Sequence, residues 1–132
     1  MVGGDPSRRC FDGWLAKLIR LRDQTCRDPF CDARIRHIDH ITRYSDGART
    51  TYINGRGECE RGNLVREMPG WRIKLLDCGF HGGPHAIMIT TPIGHYYRSR
   101  GPGHIMTTKI ITITALGQSR QSMSGMSSRA SR

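Results

Sequence analysis

Three cysteines, Cys26, Cys31 and Cys59, most constrain what this chain can fold into. Hydrophobic residues make up only 36% of its 132 positions, and a fold with so little apolar material usually needs a disulfide, a metal or a partner. The cysteine total of five is odd, and no secretory leader is recognisable, so we do not expect a disulfide framework. Thiolates that converge from two loops suit tetrahedral zinc. The cysteines therefore predict a structural zinc site in a reducing, cytoplasmic setting.

The predicted zinc site lacks one ligand. A second Cys at position 62 would form a C-x-x-C pair with Cys59 at the start of a helix, but that position is Gly62. The fourth place of a tetrahedral ion is then left to water, a nearby His or nothing. The alternative is three unrelated reduced cysteines, which behave as small apolar residues.

Apolar periodicity predicts most of the secondary structure. Apolar residues recur at intervals of three and four over positions 11–21, which predicts an amphipathic helix, and 60–68 fits a short helix that ends at Pro69. The pattern predicts strands at 34–41, 71–77, 85–91 and 95–99. Residues 44–50 and 54–58 have the composition of loops. Trp14 and Trp71 are expected in the core.

The charge of the chain favours a polyanionic partner. The formal net charge is +10 and the isoelectric point is about 10.1. Lys and Arg neutralise phosphates and release counterions, so nucleic acid is the expected partner, although a solvated basic surface would have the same composition. No apolar run approaches the roughly 18 residues of a membrane span. Residues 101–132 include a Ser-, Gly- and Arg-rich stretch, which predicts a disordered basic tail.

A second set of polar residues has the chemistry of a hydrolytic site. Asp39 and His40 are adjacent, thirteen residues separate His40 from Asn54, and eight separate Asn54 from Asn63. A carboxylate binds hard divalent cations, and neutral imidazole is a suitable general base near pH 7. On its own an Asp-His pair is a weak signal, and the spacing of the two Asn residues is what makes it specific.

The pattern H-x13-N-x8-N, preceded by Asp and framed by cysteines, resembles the HNH endonuclease family, whose members share a ββα-metal or His-Me finger site. The matching stretches are "LRDQTCRDPFCDARIRHIDH", "NGRGECERGN", "PGWR" and "ITTPIGHYY", and they cover about residues 14–98. They are most similar to a subgroup in which the HNH domain forms the C-terminal part of a longer protein. The resemblance implies an α+β fold: a small ββα-metal domain with a Cys-rich, zinc-knuckle-like site and a short C-terminal β extension.

The resemblance also implies a division of the chain. We expect an N-terminal arm and helix at 1–24, the HNH domain at 25–70, the β extension at 71–100 and the basic tail at 101–132.

The resemblance assigns roles to individual residues. Asp39 would ligate a catalytic ion, Mg²⁺ or Mn²⁺, with Zn²⁺ or Ni²⁺ as alternatives, and His40 would be the general base that activates water. Asn54 would hold the loop beneath His40 by hydrogen bonds to the backbone. Asn63 would lie near or on the metal, and Glu67, one helical turn later, stands where some relatives place a second helical ligand.

The implied activity is metal-dependent hydrolysis of DNA phosphodiester bonds. His37 would assist the metal or contact phosphate, unless it is a solvent-exposed side chain. Six arginines around the motif would hold the DNA backbone: Arg43, Arg49, Arg56, Arg61, Arg66 and Arg72. A double-strand cut needs two active sites, hence a homodimer. The alternatives are a non-catalytic nucleic-acid-binding module and a decayed HNH remnant.

Overall fold

The protein is described here by a computed structural model, which covers residues 7–102. Two helices, α1 (Gly13–Asp23) and α2 (Glu60–Arg66), accompany five strands: β1 (His37–His40), β2 (Gly55–Glu58), β3 (Arg72–Asp77), β4 (Ala86–Thr90) and β5 (Tyr96–Arg100). Strands β1 and β2 form one antiparallel sheet, and β3, β4 and β5 form a second. The α+β class is confirmed. Most of the predicted tail, residues 103–132, lies outside the described residues.

Strands β1 and β2 and helix α2 follow one another directly and pack together. In the hairpin, Asp39 lies opposite Arg56 and His40 opposite Gly55. Helix α2 begins one residue after β2, and its N-cap is Cys59, whose Sγ accepts a hydrogen bond from the Gly62 N–H at 3.3 Å. The order β-β-α therefore places the polar residues of β1 beside a helix that starts at a predicted zinc ligand.

Strand β2 corrects the prediction of a loop at 54–58. Its glycines serve close packing rather than a turn. A Cβ atom at Gly55 would lie 2.4 Å from Ile19 Cδ1 of α1, and one at Gly57 would lie 2.4 Å from Ile35 Cδ1. Only glycine lets the strand approach α1 and Ile35 this closely, so a composition typical of turns is compatible with a buried strand.

The apolar core is small and divided between the two sheets. Ile41, Ile87 and Ile89 form a buried cluster, against which Trp71 and two residues of β3 pack. The side chain of Trp14 is 77% exposed, so its predicted place in the core is wrong. Helix α1 begins two residues later than predicted and turns Leu15, Ala16 and Ile19 inward instead. Within residues 7–102, no helix has the length and apolar character needed to cross a bilayer.

Buried charges join the elements where apolar contacts are few. Asp23, fully buried at the end of α1, accepts hydrogen bonds from Arg22 Nε at 2.7 Å, Arg27 Nη1 at 2.7 Å and the Gly57 N–H at 2.8 Å. Arg27 also donates through Nη2 to the carbonyl oxygen of His85 at 2.9 Å, immediately before β4. Burial alone would raise the pKa of Asp23, but the bonds and charges of the two arginines hold it below its usual range. The network therefore links α1, β2 and the second sheet.

We expect His85 to make the fold sensitive to acid. Burial, and next the charge of Arg22, lowers the pKa of His85 to about 4 from a reference value of 6.5. Between these values the unfolded chain binds a proton that the folded protein excludes, so the free energy of unfolding falls as the pH falls from 7. One pKa unit corresponds to about 1.4 kcal/mol, so His85 accounts for a loss of about 2 kcal/mol at pH 5.

Urea unfolding of the wild type at pH 7 and pH 5 measures this loss. His85→Gln should reduce the pH dependence by about this amount, because an amide does not titrate and can still donate to the Ile53 carbonyl that His85 Nε2 contacts at 2.8 Å. The dependence that remains comes from other groups such as His40, whose pKa burial also lowers. His95→Gln is the matched control at an exposed histidine and should behave as the wild type. An equal dependence on pH in the wild type and in His85→Gln would contradict the assignment.

Candidate functional site

A cleft of about 390 Å³ opens beside the end of β1. Asp39, His40 and Glu67 line it, so the residue that caps the C-terminus of α2 shares the cleft with the Asp-His pair of the strand. The remaining lining residues come from the segment before α1, from β1 and from the turn after it: Arg9, Cys10, Phe11, Ile38, Arg43, Tyr44 and Ser45.

His40 is held in one orientation. Its ring is 4.5 Å from that of Phe11 and 5.8 Å from that of Tyr44, measured between centroids. Nε2 lies 2.8 Å from Thr50 Oγ1, and the Thr50 hydroxyl donates its proton to the carbonyl oxygen of Arg9 at 3.4 Å. With the hydroxyl proton directed at Arg9, the hydroxyl oxygen accepts from His40 in the tautomer that carries hydrogen on Nε2, and that tautomer leaves Nδ1 with the free lone pair.

His40 is neutral near pH 7. Burial lowers its pKa, and the charges of Arg66 and Arg9 act in the same direction, whereas Asp39 opposes them. The residue is 7% exposed. A neutral imidazole with Nδ1 unprotonated can accept a proton, which is the property a general base requires.

Asp39 is engaged through both carboxylate oxygens. Oδ1 accepts from the backbone N–H of His40 at 2.7 Å and lies 4.0 Å from His40 Nδ1. Oδ2 forms an ion pair with Arg66 Nη1 at 2.5 Å, and Arg66 Nη2 donates to the Ile41 carbonyl oxygen at 3.1 Å. Arg66 thus anchors the carboxylate from α2. The sequence predicts Arg66 at the DNA backbone and no role for Thr50, because neither partnership leaves a signal in residue spacing.

The Asn54 side chain stabilises the loop between β1 and β2 through hydrogen bonds to the loop backbone. Its Oδ1 accepts from the Thr42 N–H at 2.9 Å, and its Nδ2 donates to the carbonyl oxygens of Thr42 and Arg49, each at 3.0 Å. These are backbone hydrogen bonds of the kind expected for this residue. They join the two ends of the loop that carries Thr50, the hydrogen-bond partner of His40.

The structure separates Asn63 from the cleft. Asn63 is half-buried in α2 and is not among the residues that line the cleft, whereas Glu67 is. The Glu67 side chain is 64% exposed and pairs with Arg43 Nη1 at 3.0 Å. His37 is exposed at the start of β1. Of the two positions expected to supply a second metal ligand, Glu67 is the one that lines the same cleft as Asp39.

The three predicted cysteines converge. The Sγ atoms of Cys26, Cys31 and Cys59 all lie within 4.8 Å of one another, and those of Cys31 and Cys59 are 3.9 Å apart. Zinc–sulfur bonds of about 2.3 Å in a tetrahedron place sulfur atoms about 3.8 Å apart, so this donor set fits a zinc-like ion. The cluster could hold a metal at the junction of the loop before β1 and the start of α2.

Two of the six arginines expected on the DNA backbone are unavailable. Arg56 is 1% exposed and Arg66 is 5% exposed, and both pair with carboxylates. For these two the expectation is wrong, because their charges offset buried acids. Arg49, Arg61 and Arg72 are exposed.

Comparison with known proteins gives distant relatives. No protein-family model and no solved structure matches the sequence. The chain is similar to two proteins of Mycobacterium tuberculosis: it is 34% identical over 104 residues to uncharacterized protein Rv3776 and 33% identical over 104 residues to uncharacterized protein Rv2100. Each match covers 76% of this chain but only 19% and 18% of those proteins, so the chain spans less than a fifth of their length.

We expect the cysteine cluster to bind one zinc ion per chain. Elemental analysis of protein purified under reducing conditions should give one equivalent, which Cys59→Ser should lose and Cys78→Ser, outside the cluster, should keep. Removal of zinc by a chelator should lower the unfolding temperature, since each kcal/mol lost costs about 4–8 °C in a domain of this size. Equal zinc contents in the two variants would contradict the assignment.

Proposed function

We propose that the chain is a metal-dependent endonuclease of the HNH type, which hydrolyses phosphodiester bonds of DNA. The observation that carries the proposal is the pairing of a neutral, oriented His40 with the Asp39 carboxylate in one cleft of a β-β-α unit. Phosphodiester hydrolysis needs a base for water and stabilisation of negative charge at phosphorus, and this cleft offers groups for both.

In this reaction His40 removes the proton from the attacking water through Nδ1. The hydrogen bond from His40 Nε2 to Thr50 keeps Nδ1 unprotonated. Oδ1 of Asp39, 4.0 Å from Nδ1, stabilises the imidazolium that forms. Asn54 keeps the Thr50 loop in register with the strand.

A divalent cation, Mg²⁺ or Mn²⁺ or else Zn²⁺ or Ni²⁺, fits the carboxylates of the cleft. Asp39 and Glu67 would hold it, since hard cations prefer carboxylate oxygens, while Asn63 would bind only after a change in the helix. When bound, the ion supplies positive charge to the non-bridging and leaving oxygens. Arg43, which now pairs with Glu67 and is partly exposed, would then lie beside the phosphate.

Three further features support a DNA substrate and an intracellular setting. The net charge is +10, and the exposed side chains of Arg49, Arg61 and Arg72 can contact phosphates without reading bases. A structural zinc at the cysteine cluster needs reduced thiols, as in the cytoplasm. A double-strand break would need two such sites, and therefore a homodimer.

A non-catalytic nucleic-acid-binding module is the second candidate, and the Asp39–Arg66 pair favours it. A carboxylate at 2.5 Å from a buried guanidinium is already satisfied without a metal. Such a module would bind DNA and leave it uncut.

We expect the wild-type protein to nick supercoiled plasmid in the presence of Mg²⁺ or Mn²⁺. His40→Ala should lower the rate by about 10²–10⁴-fold, the usual contribution of a positioned general base. His95→Ala, at an exposed histidine remote in sequence, should retain the wild-type rate. Because burial lowers the pKa of His40, the rate should rise with pH through a pKa below 6.5 and then level off.

Folded wild-type protein that leaves the plasmid intact would overturn the endonuclease proposal. A shift of the plasmid in a gel without nicking, unchanged in His40→Ala, would establish the binding module instead.

Thr50→Val should weaken nicking more than Thr50→Ser does. Valine cannot accept from Nε2, so the buried ring loses the bond that favours the tautomer with Nδ1 free. A bond of about 1–3 kcal/mol biases the two tautomers by about 5- to 150-fold, which is the largest loss of rate expected. Serine keeps the hydroxyl and should restore most of the rate. The pH profile separates this role from a packing defect, because its apparent pKa should move in Thr50→Val alone.

A further inference from the structure

Position 62 is where the sequence lacks a zinc ligand, and another side chain fills that space. A Cβ atom built on Gly62 would lie 2.2 Å from Oδ2 of Asp28. Real Cβ atoms do not approach another atom so closely, so the Asp28 carboxylate occupies the volume in which a side chain at position 62 would begin. Gly62 also donates its N–H to Cys59 Sγ at 3.3 Å, so this volume borders the cysteine cluster.

Asp28 belongs to the same turn as two of the cysteines. Its backbone N–H points at Cys26 Sγ at 3.5 Å, and its carbonyl oxygen accepts from the Cys31 N–H at 3.2 Å. A turn that holds Cys26 and Cys31 in place therefore also fixes the backbone of Asp28 beside them.

One oxygen of the Asp28 carboxylate is held and the other faces Gly62. Oδ1 forms an ion pair with Arg56 Nη1 at 3.1 Å, and the Arg56 side chain is 1% exposed. Carboxylates that ligate metals are commonly oriented by such a hydrogen bond to their second oxygen. Within residues 7–102, no fourth His, Cys, Asp or Glu side chain lies within 4.8 Å of all three sulfur atoms, and Asp28 is the carboxylate found at Gly62, beside Cys59.

We propose that Asp28 is the fourth protein ligand of the metal at Cys26, Cys31 and Cys59, through Oδ2. The proposal rests on the metal site described above and not on nuclease activity. The Asp28 carboxylate does not lie within 4.8 Å of all three sulfur atoms, so its side chain must turn toward them. The absence of a side chain at Gly62 is what gives it room to do so, and zinc accepts carboxylate oxygen at about 2.0–2.2 Å beside thiolates.

Zinc affinity of the full chain tests the proposal. Competition with a chromogenic chelator should show that Asp28→Asn binds Zn²⁺ at least about tenfold more weakly than the wild type, since loss of an outer partner alone costs about 10–100-fold. Asn keeps an oxygen for Arg56, so the ion pair's packing is largely preserved. Asp32→Asn, exposed and next to Cys31, is the matched control and should bind as the wild type does.

A compensating pair of variants separates ligation from folding. Asp28→Ala should bind Zn²⁺ weakly, and Asp28→Ala combined with Gly62→Cys should recover at least the wild-type affinity, because the new thiol takes the vacated place on the same helical turn as Cys59. Visible absorption of Co²⁺-loaded protein should show tetrahedral bands in the wild type and in the double variant, and weaker bands in Asp28→Asn.

Wild-type affinity in Asp28→Asn would overturn the proposal and assign the fourth place to water. A double variant that remains as weak as Asp28→Ala would also overturn it, since Asp28 would then act only through Arg56. A wild-type protein that binds no Zn²⁺ would remove the metal site altogether and leave the endonuclease proposal to the plasmid assay.

Discussion

The buried carboxylate of Asp23 is the interaction on which the rest of the structure depends. It accepts hydrogen bonds from Arg22, Arg27 and the Gly57 N–H. Arg27 also donates to the carbonyl oxygens of His85 and Ser99, which connects the network to the second sheet. Burying an unpaired charge is costly, and removing one partner of such a network typically costs about 3–5 kcal/mol. With so little apolar surface, the chain uses these directional bonds to fix the angle between α1, β2 and the second sheet.

Strand β2 connects the Asp23 network to both candidate sites. Arg56 lies opposite Asp39 in the hairpin, and its guanidinium is buried between Asp28 and Glu58. Arg56 of β2 thus holds Asp28, which lies between Cys26 and Cys31, while the partner strand β1 places Asp39 and His40 at the cleft. A metal at the cysteines would stabilise the loop and helix that frame the Asp-His pair, because Cys59 is both a cluster member and the N-cap of α2.

Local patterns predicted the elements whose reasons are local. Alternation predicted β1, and Gly and Pro between short segments predicted β3, β4 and β5. Three- and four-residue spacing predicted α1, and Pro69 marked the end of α2, each within a few residues of the observed bounds. Strand β2 was not predicted, because its glycines make room for Ile19 and Ile35, which are distant in sequence. The prediction that Trp14 is buried was wrong, because apolar character alone does not show which side of a helix packs against the core.

The sequence by itself determined most of the helices and strands, the adjacency of Asp39 and His40, and the presence of three thiols suited to one ion, because residue type and spacing along the chain decide these. Only the tertiary structure decided which charges meet. It pairs Asp39 with Arg66, places Thr50 in hydrogen-bond contact with His40, and fills the space at Gly62 with the Asp28 carboxylate. These partners come from different elements, and the packing that brings them together depends on the whole chain, so no local pattern specifies it.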